Sequence, residues 1–155
     1  MISLEEARRI ILAGCRPLEL EKVDILEACG RVIGEDVYSP RDIPARANSA
    51  KDGYALRAAQ AGAGARLPVS QRIPAGHVGG PLAPGTAARI FTGGLIPPGA
   101  DAVVMVEYTD IEGGAEGTRS DTVPTLVVRH AVTAGFGISF TGSDIAAGET
   151  VLRRG

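Results

Sequence analysis

The stretch TAARIFTGGLIPPGADAVVMVEY, residues 86–108, indicates the fold class of this chain. It contains two apolar runs of strand length, Thr86 to Phe91 and Ala102 to Tyr108. Between them lie the turn formers Gly93-Gly94 and Pro97-Pro98-Gly99. Short apolar runs separated by glycine and proline are typical of small β-sandwiches and barrels, so the stretch predicts a compact β-rich region.

The same pattern continues on both sides of this stretch. Further strands are predicted over 67–72 and 125–129, with a polar hairpin tip over 115–122. A closing pair of strands is predicted within 138–152, around two glycines. Residues 53–60 predict one or two turns of helix instead. The chain has 21 glycines and ten prolines, concentrated after residue 40, which favours strands joined by tight turns.

The N-terminal part has a different pattern. Ser3 followed by Glu6 is a capping box, and apolar residues then recur at helical spacing until Gly14 and Pro17. This predicts a helix at the N-terminus. A strand, a short helix and another strand are predicted next, over 18–23, 26–29 and 31–38.

Composition excludes several classes of protein. Sixteen basic and 18 acidic residues give a net charge of −2, and aromatic residues are only 4% of the chain. A nucleic-acid-binding surface needs clustered positive charge, so we expect no nucleic-acid partner. Apolar runs stop well short of the roughly 20 residues of a membrane span, and the N-terminus is acidic, so a cytoplasmic protein without a membrane partner is expected.

The cysteines and histidines show no metal-ligand spacing. Cys15 and Cys29 lack a CxxC arrangement, and we interpret them as buried small hydrophobic residues. His77 and His130 lie far apart in the chain, and surface positions are expected for both.

The loop Asn48-Ser49-Ala50-Lys51-Asp52-Gly53 is the first candidate site. It places an amide, a hydroxyl, an ammonium group and a carboxylate within five residues. Asp52 could bind Mg²⁺ or position a water molecule, because hard cations prefer carboxylate oxygens. The alternative is an ordinary Asp-Gly turn in which the asparagine and serine cap backbone groups.

Thr92-Gly93-Gly94, at the end of a predicted strand, is the second candidate. A hydroxyl followed by uncovered backbone N–H groups suits an oxyanion or a phosphate. Plain turn chemistry explains the same residues. Gly142-Ser143-Asp144 is a weaker third candidate, in which Asp144 either caps a turn or faces a pocket.

Taken together, six segments resemble the front half of the molybdopterin molybdenumtransferase family, which includes MoeA and the gephyrin E domain. They occur in the family's order and at near-family spacing over essentially the whole chain, which makes the combined signal specific. The segments are Ser3–Ala7, Leu26–Val32, Glu35–Pro40, Asn48–Ala55, Arg89–Gly93 and Pro98–Met105.

The resemblance implies an α+β fold that is mostly β. It has an elongated linker domain with a short N-terminal helix, over 1–46 and 138–155, and a small inserted β-barrel-like domain over 47–137. It also implies a homodimer with active sites between subunits. The implied reaction is insertion of molybdate into adenylylated molybdopterin (molybdopterin-AMP), with Mg²⁺ as the cofactor and AMP as a product.

The resemblance also assigns roles to individual residues. Asp52 and Thr92 fall on the family's catalytic aspartate and threonine, and Asp52 is the implied metal ligand. The residues implied in binding the cofactor are Asn48, Ser49, Lys51, Gly93 and Asp144.

The chain departs from the family pattern near these residues. Ala47 replaces an aspartate and Lys51 replaces a methionine. We expect the Lys51 ammonium group to favour ionised Asp52 and to weaken a nearby dication. The family's arginine cluster, which would bind anions through guanidinium groups, is replaced by Ile138–Thr141, and serine takes the place of a glutamate at Ser143.

The family's pterin-binding and C-terminal domains would follow residue 155. The expected consequence is a chain that is inactive alone, whose cleft is completed by a partner chain carrying the pterin-binding domain. The alternative is a non-catalytic dimerising scaffold or regulatory module that diverged from the family. A carbohydrate- or peptide-binding β module with coincidental motifs is the third reading.

Overall fold

A computed structural model describes residues 1–113 and 123–155. The chain divides into two compact units. Unit 1 comprises Met1–Val37 with Leu152–Gly155, and unit 2 comprises Tyr38–Val151. The resemblance implies domain boundaries near residues 46 and 138. These boundaries remain a prediction.

Unit 1 contains the predicted N-terminal helix. Helix α1 spans Leu4–Gly14, and the Ser3 hydroxyl accepts a hydrogen bond from the backbone N–H of Glu6 at 3.1 Å. A 3-10 turn over Ile25–Glu27 is capped in the same way by the carboxylate of Asp24. Both helical segments begin where a side-chain oxygen accepts a hydrogen bond from an otherwise unpaired backbone N–H group.

The two strands predicted near this turn are corrected by the structure. Residues 18–23 form no strand, and the side chain of Leu20 packs against Gly34. Of the predicted strand over 31–38, only β1, Val37–Tyr38, is extended and paired. Alternation of apolar and polar residues is therefore insufficient here, because no neighbouring strand pairs with either segment over most of its length.

Unit 2 is built on a six-stranded sheet that curls into a half-barrel. The strand order is β6-β3-β5-β4-β8-β7, and all neighbours are antiparallel except the parallel pair β4 and β5. The six strands are β3 (Gly53–Leu56), β4 (Arg66–Ile73), β5 (Ala87–Ile90), β6 (Ala102–Met105), β7 (Thr109–Glu112) and β8 (Thr125–Val128).

Both faces of this sheet are covered. Leu56, Val104 and Leu126 lie in the core on one face, and Ile90 and Val103 lie in the core on the other. Every residue of β3 and β5 is buried as a result. Burial on both faces explains why these central strands do not alternate between apolar and polar residues, as strands with one solvent-exposed face do.

Two short strand pairs lie outside the six-stranded sheet. Strand β2 (Asn48–Ser49) pairs with β9 (Ile138–Ser139), and β1 pairs with β10 (Thr150–Leu152). The prediction that 138–152 holds two strands is confirmed. Its description as a closing pair is wrong, because each strand pairs with a distant part of the chain. The helix predicted over 53–60 is also wrong in its first half, which is strand β3, and a 3-10 turn covers only Ala58–Gln60.

The remaining predictions have mixed outcomes. His77 and His130 are exposed as predicted. Cys15 and Cys29 are exposed free thiols, so their assignment as buried residues is wrong. The predicted hairpin tip over 115–122 lies outside the described residues. Helix α1, the only α-helix in the described ranges, has 11 residues and is too short to cross a bilayer.

Candidate functional site

The register of β3 and β5 brings Asp52 and Thr92 together. Gly53 at the start of β3 pairs with Ile90 at the end of β5, because the two strands are antiparallel. The residues just outside these ends, Asp52 and Thr92, therefore become neighbours. Asp52 Oδ1 accepts one hydrogen bond from the backbone N–H of Thr92 at 2.9 Å and another from its hydroxyl at 2.8 Å.

A second connection joins Ser49 to the two glycines that follow Thr92. The backbone N–H of Ser49 donates to the carbonyl of Gly94 at 2.8 Å, and the N–H of Gly93 donates to the carbonyl of Ser49 at 2.9 Å. The Ser49 hydroxyl is fully buried and donates to the carbonyl of Lys51 at 2.5 Å. The Asp52 loop (48–52) and the Thr92 turn (92–94) are thus held together by backbone hydrogen bonds as well as by their side chains.

The N–H groups of the Thr92 turn are all used within the chain. The N–H of Thr92 donates to Asp52, that of Gly93 to Ser49, and that of Gly94 to Phe91. The prediction that this turn offers uncovered N–H groups to an oxyanion is therefore wrong. Thr92 and Gly93 remain predicted site residues, but the arrangement differs from an anion-binding nest.

The hydroxyl of Thr92 is also committed as a donor. A threonine has one hydroxyl proton, and here it points to Asp52, so the oxygen keeps only acceptor lone pairs for a ligand. Asp52 Oδ2 accepts no hydrogen bond from residues 1–113 or 123–155. The pair thus presents acceptor oxygens and negative charge, which suit a cation or a hydrogen-bond donor.

The hydrogen bonds from Thr92 hold the pKa of the Asp52 carboxyl below its usual range. The backbone N–H contributes most and the hydroxyl next, while partial desolvation opposes them. The positive charge of Arg89 lowers this pKa further. Lys51, the expected source of positive charge, is exposed, and the cation that acts on Asp52 is instead a buried arginine on β5.

Sequence reasoning missed Arg89 as a site residue. It is only 9% exposed, and its Nη1 donates to the carbonyl oxygens of Gly53 and Ile90 at 2.9 and 2.8 Å. Its guanidinium carbon lies 4.2 Å from the centre of the Phe91 ring. A signal was present in the sequence, because a lone charge within the apolar run Ala87–Phe91 demands a buried partner.

Asn48 lies beside the Thr92 turn, where it forms a bridge with Leu95, whereas the described hydrogen bonds of Asp144 lead to another segment. Asn48 lies on β2, paired with Ser139, and its side-chain amide donates to the carbonyl of Arg46 at 3.4 Å. Asp144 is in another turn of unit 2, where its N–H donates to the carbonyl of Ile43 and its carboxylate accepts from Ser143. The hydrogen bonds of Asp144 thus connect it to the segment around Ile43 rather than to the Asp52 loop.

A metal at this site would have few protein ligands. Within the described part of the chain, no group of three or more histidine, cysteine or acidic side chains is placed to hold a metal ion. Asp52 supplies one carboxylate whose Oδ2 accepts no hydrogen bond from the described residues. Mg²⁺ often binds through one or two carboxylates together with waters and substrate phosphates, so this donor set fits that ion.

A family model described as the MoeA N-terminal region (domain I and II) matches residues 2–155. Among curated proteins, molybdopterin molybdenumtransferase 2 of Mycobacterium tuberculosis is 40% identical over 164 residues, and gephyrin of Dictyostelium discoideum is 35% identical over 173 residues. Both alignments cover all of this chain, but only 37% of the first relative and 23% of the second.

A solved structure has the same fold. The crystal structure of the molybdopterin biosynthesis moeA protein from Pyrococcus horikoshii OT3 matches with a TM-score of 0.83 and 37% sequence identity. The match covers 97% of this chain and 39% of that protein. The mostly β fold predicted from the resemblance is therefore confirmed. The chain spans less than two fifths of the length of each of these relatives.

Proposed function

The chain belongs to the family of the MoeA N-terminal region, and from this we propose that it acts in molybdenum cofactor assembly. The step is the insertion of molybdate into adenylylated molybdopterin. Support comes from the names of the relatives, molybdopterin molybdenumtransferase and gephyrin, and from a match that runs over essentially the whole chain.

The observation that carries the proposal is the contact between Asp52 and Thr92. These residues lie 40 positions apart, and each belongs to a different segment that resembles the family. Two hydrogen bonds to one carboxylate oxygen keep Asp52 ionised and leave its second oxygen available. Asp52 would hold Mg²⁺, and Thr92 would orient the Asp52 carboxylate, as outer-shell partners of metal ligands generally do.

The bound Mg²⁺ would neutralise charge on the phosphates of the adenylylated pterin. The residues of this chain have simpler tasks. Asp52 supplies a fixed negative charge, and the Thr92 hydroxyl oxygen would accept a hydrogen bond from a donor group of the ligand. Asn48, Ser49, Lys51 and Gly93 shape the surrounding loop, and Asp144 would contribute from a separate turn.

We further propose that residues 1–155 do not catalyse insertion alone. They correspond to less than two fifths of the matched relatives, so the rest of the cleft would come from another segment or from a partner carrying the pterin-binding domain. A homodimer of cytoplasmic chains is the proposed assembly. It is supported by the many large apolar side chains exposed on unit 1, including Leu18, Ile25 and Leu26, because monomers rarely leave such surface uncovered.

Isothermal calorimetry tests the role of Asp52. We would titrate AMP into the protein with Mg²⁺ present, and compare the wild type with Asp52→Asn. Asp110→Asn is the matched control, since Asp110 is an exposed carboxylate of the same unit whose pKa is also lowered, by its hydrogen bonds to Arg129. We expect saturable Mg²⁺-dependent binding that weakens only in Asp52→Asn. No binding at millimolar AMP, or equal binding by Asp52→Asn, would contradict the proposed role.

Activity requires a second assay. Purified protein would be added to a molybdate insertion reaction, with and without a full-length homologue. We expect no turnover by the chain alone and a change in the homologue's rate when the chain is added. Turnover by residues 1–155 alone would overturn the proposed dependence on a further segment.

A scaffold or regulatory module is the second candidate function. The exposed apolar surface of unit 1 favours it, because that surface is independent of the Asp52 site. A scaffold would keep its effect on the homologue in Asp52→Asn and Thr92→Ala, and would lose it when Leu26 is replaced by glutamate. The proposed catalytic contribution would instead be lost in Asp52→Asn and in Thr92→Ala.

A further inference from the structure

The buried guanidinium of Arg89 bridges the ends of the two strands that carry the site. One nitrogen, Nη1, donates to the carbonyl of Gly53 on β3 and to the carbonyl of Ile90 on β5. Gly53 directly follows Asp52, and Ile90 lies two residues before Thr92. Gly53 and Ile90 are also partners in the strand register, so Arg89 binds where the separation between the two site residues is set.

Aromatic rings hold the guanidinium in place. Its carbon lies 4.2 Å from the centre of the Phe91 ring and 5.3 Å from that of Tyr54. Arg72, which pairs with Arg89 in the register of β4 and β5, lies 4.5 Å from the same Phe91 ring. A planar guanidinium stacks on rings and donates several hydrogen bonds in fixed directions, which an ammonium group does not.

Arg89 affects the site through its positive charge as well as through its hydrogen bonds. It is one of the causes that lower the pKa of Asp52, although the Thr92 donors contribute more. A buried arginine is costly unless its donors are satisfied, so its presence in a strand of otherwise apolar residues calls for a specific reason. The bridging geometry and the effect on Asp52 together supply one.

We propose that Arg89 is a positioning residue for the Asp52–Thr92 pair, because its hydrogen bonds to Gly53 and Ile90 fix the spacing of the two strand ends that carry the pair. The inference rests on the proposed function of that pair. Arg89 itself is nine-tenths buried, so it acts through Gly53, Ile90 and the field at Asp52 rather than by touching a ligand.

The test measures the chemical shift and the hydrogen exchange of the Thr92 backbone amide by NMR, at constant pH, in the full 155-residue chain without ligand. Arg89→Gln removes the charge and Arg89→Lys keeps it without the planar fork. We expect the Thr92 amide to exchange faster in both variants, relative to the Val128 amide, which donates to the carbonyl of Ala65. The Thr92 amide resonance should move upfield in both, because its hydrogen bond to Asp52 lengthens.

Arg66→Gln is the matched control. It removes an exposed guanidinium of the same sheet, paired with Glu112, and should leave both signals unchanged. The other charged residues near Asp52 along the chain and sheet, Lys51, Arg72 and Glu107, are constant throughout.

Either the chemical shift or the exchange rate remaining at its wild-type value in a folded Arg89→Lys would overturn the proposal and leave Arg89 a purely structural residue. If Arg89→Gln fails to fold, Arg89→Lys alone decides, since it retains the charge and most of the volume. Failure of the proposed function is distinguishable, because it appears as absent AMP binding, whereas the measurement on the Thr92 amide contains no ligand.

Discussion

Asp52 belongs to the candidate site and also contributes to the stability of the fold. Its pKa is lowered chiefly by the two donors of Thr92. A carboxylate with a lowered pKa stabilises the folded state at any pH above its ordinary value, about 4, and this stabilisation is lost as the pH falls through the lowered value. Acid conditions therefore weaken the connection between the Asp52 loop and the Thr92 turn.

This gives a pH prediction. The free energy of unfolding of the wild type should exceed that of Asp52→Asn by a margin that is constant above about pH 5 and shrinks toward acid. Urea denaturation at a series of pH values measures the margin. The difference between the wild type and Asp110→Asn should depend on pH in the same way, because Asp110 forms an ion pair with Arg129. This variant therefore checks the method. A margin for Asp52→Asn that grows toward acid would contradict the assignment.

Thr92 allows its two donors to be separated. Thr92→Val removes the hydroxyl and keeps the backbone N–H, so we expect the pKa of Asp52 to rise but to stay below its ordinary value. Thr92→Ser should behave as the wild type. Thr86→Val is a suitable control, because the Thr86 hydroxyl donates to the carbonyl of Ala83 and accepts from the hydroxyl of Ser70, with no hydrogen bond to Asp52. NMR titration of Asp52 measures all four proteins, and an unchanged midpoint in Thr92→Val would refute the role of the hydroxyl.

Sequence reasoning selected Asp52 and Thr92 because both stand beside glycines in polar loops. It failed for Arg89 because a charged residue within a strand usually points to solvent. The burial of every residue of β5, which lies between β3 and β4 in the sheet, is a tertiary feature that the local sequence does not show. Sequence reasoning also misjudged the N–H groups of the Thr92 turn, because their partners at Ser49 and Asp52 lie some 40 residues away. Interactions of that range leave little local trace.

At the scale of single elements, β3 shows how tertiary structure overrides local preference. Residues 53–60 are rich in alanine and leucine, which favour helix, yet Gly53–Leu56 is a strand with partners on both sides. β5 and β6 were predictable because their apolar runs are bounded by prolines and glycines. The strands predicted over 18–23 and 31–38 failed for the converse reason, since a periodic pattern needs a partner to become a strand.

Gly53 is the position where β3 approaches its neighbour most closely. A Cβ atom at this residue would lie 2.0 Å from the carbonyl oxygen of Val104, a backbone atom that cannot move aside. We expect Gly53→Ala to cost at least about 3 kcal/mol of unfolding free energy, or to prevent folding. Gly62→Ala is the control, because its Cβ would meet open space, and its effect should stay within about 1 kcal/mol. Equal midpoints in urea denaturation would contradict this account.

At the scale of the whole molecule, the topology rests on long-range pairing. The parallel neighbours β4 and β5 are joined by residues 74–86, and β9 near the C-terminal end pairs with β2 at the Asp52 loop. The sequence pattern predicted four of the six strands of this sheet and missed β3 and β7. It did not predict the strand order, because periodicity reports which face is buried and not which strand lies beside which. The family resemblance supplied the fold where local patterns could not.

The two units should differ in local stability. None of residues 1–37 and 152–155 is buried, whereas every residue of β3 and β5 is. We expect the amides of α1 to exchange with deuterium at least roughly tenfold faster than those of β3 and β5. Exchange mass spectrometry at two protein concentrations measures this. Strong protection of α1 at both concentrations would contradict the prediction, while protection only at the higher one would indicate that a second copy covers unit 1.

The exposure of Lys51 has a practical consequence, because lysine is rare in this chain. Lys22 and Lys51 are its only lysines, and Lys51 adjoins the Asp52 carboxylate. In a Lys22→Arg variant, an amine-reactive fluorophore or photo-crosslinker would attach to a side chain at one place only, the rim of the candidate site. The lysine beside Asp52 thus provides a natural attachment point for a reporter.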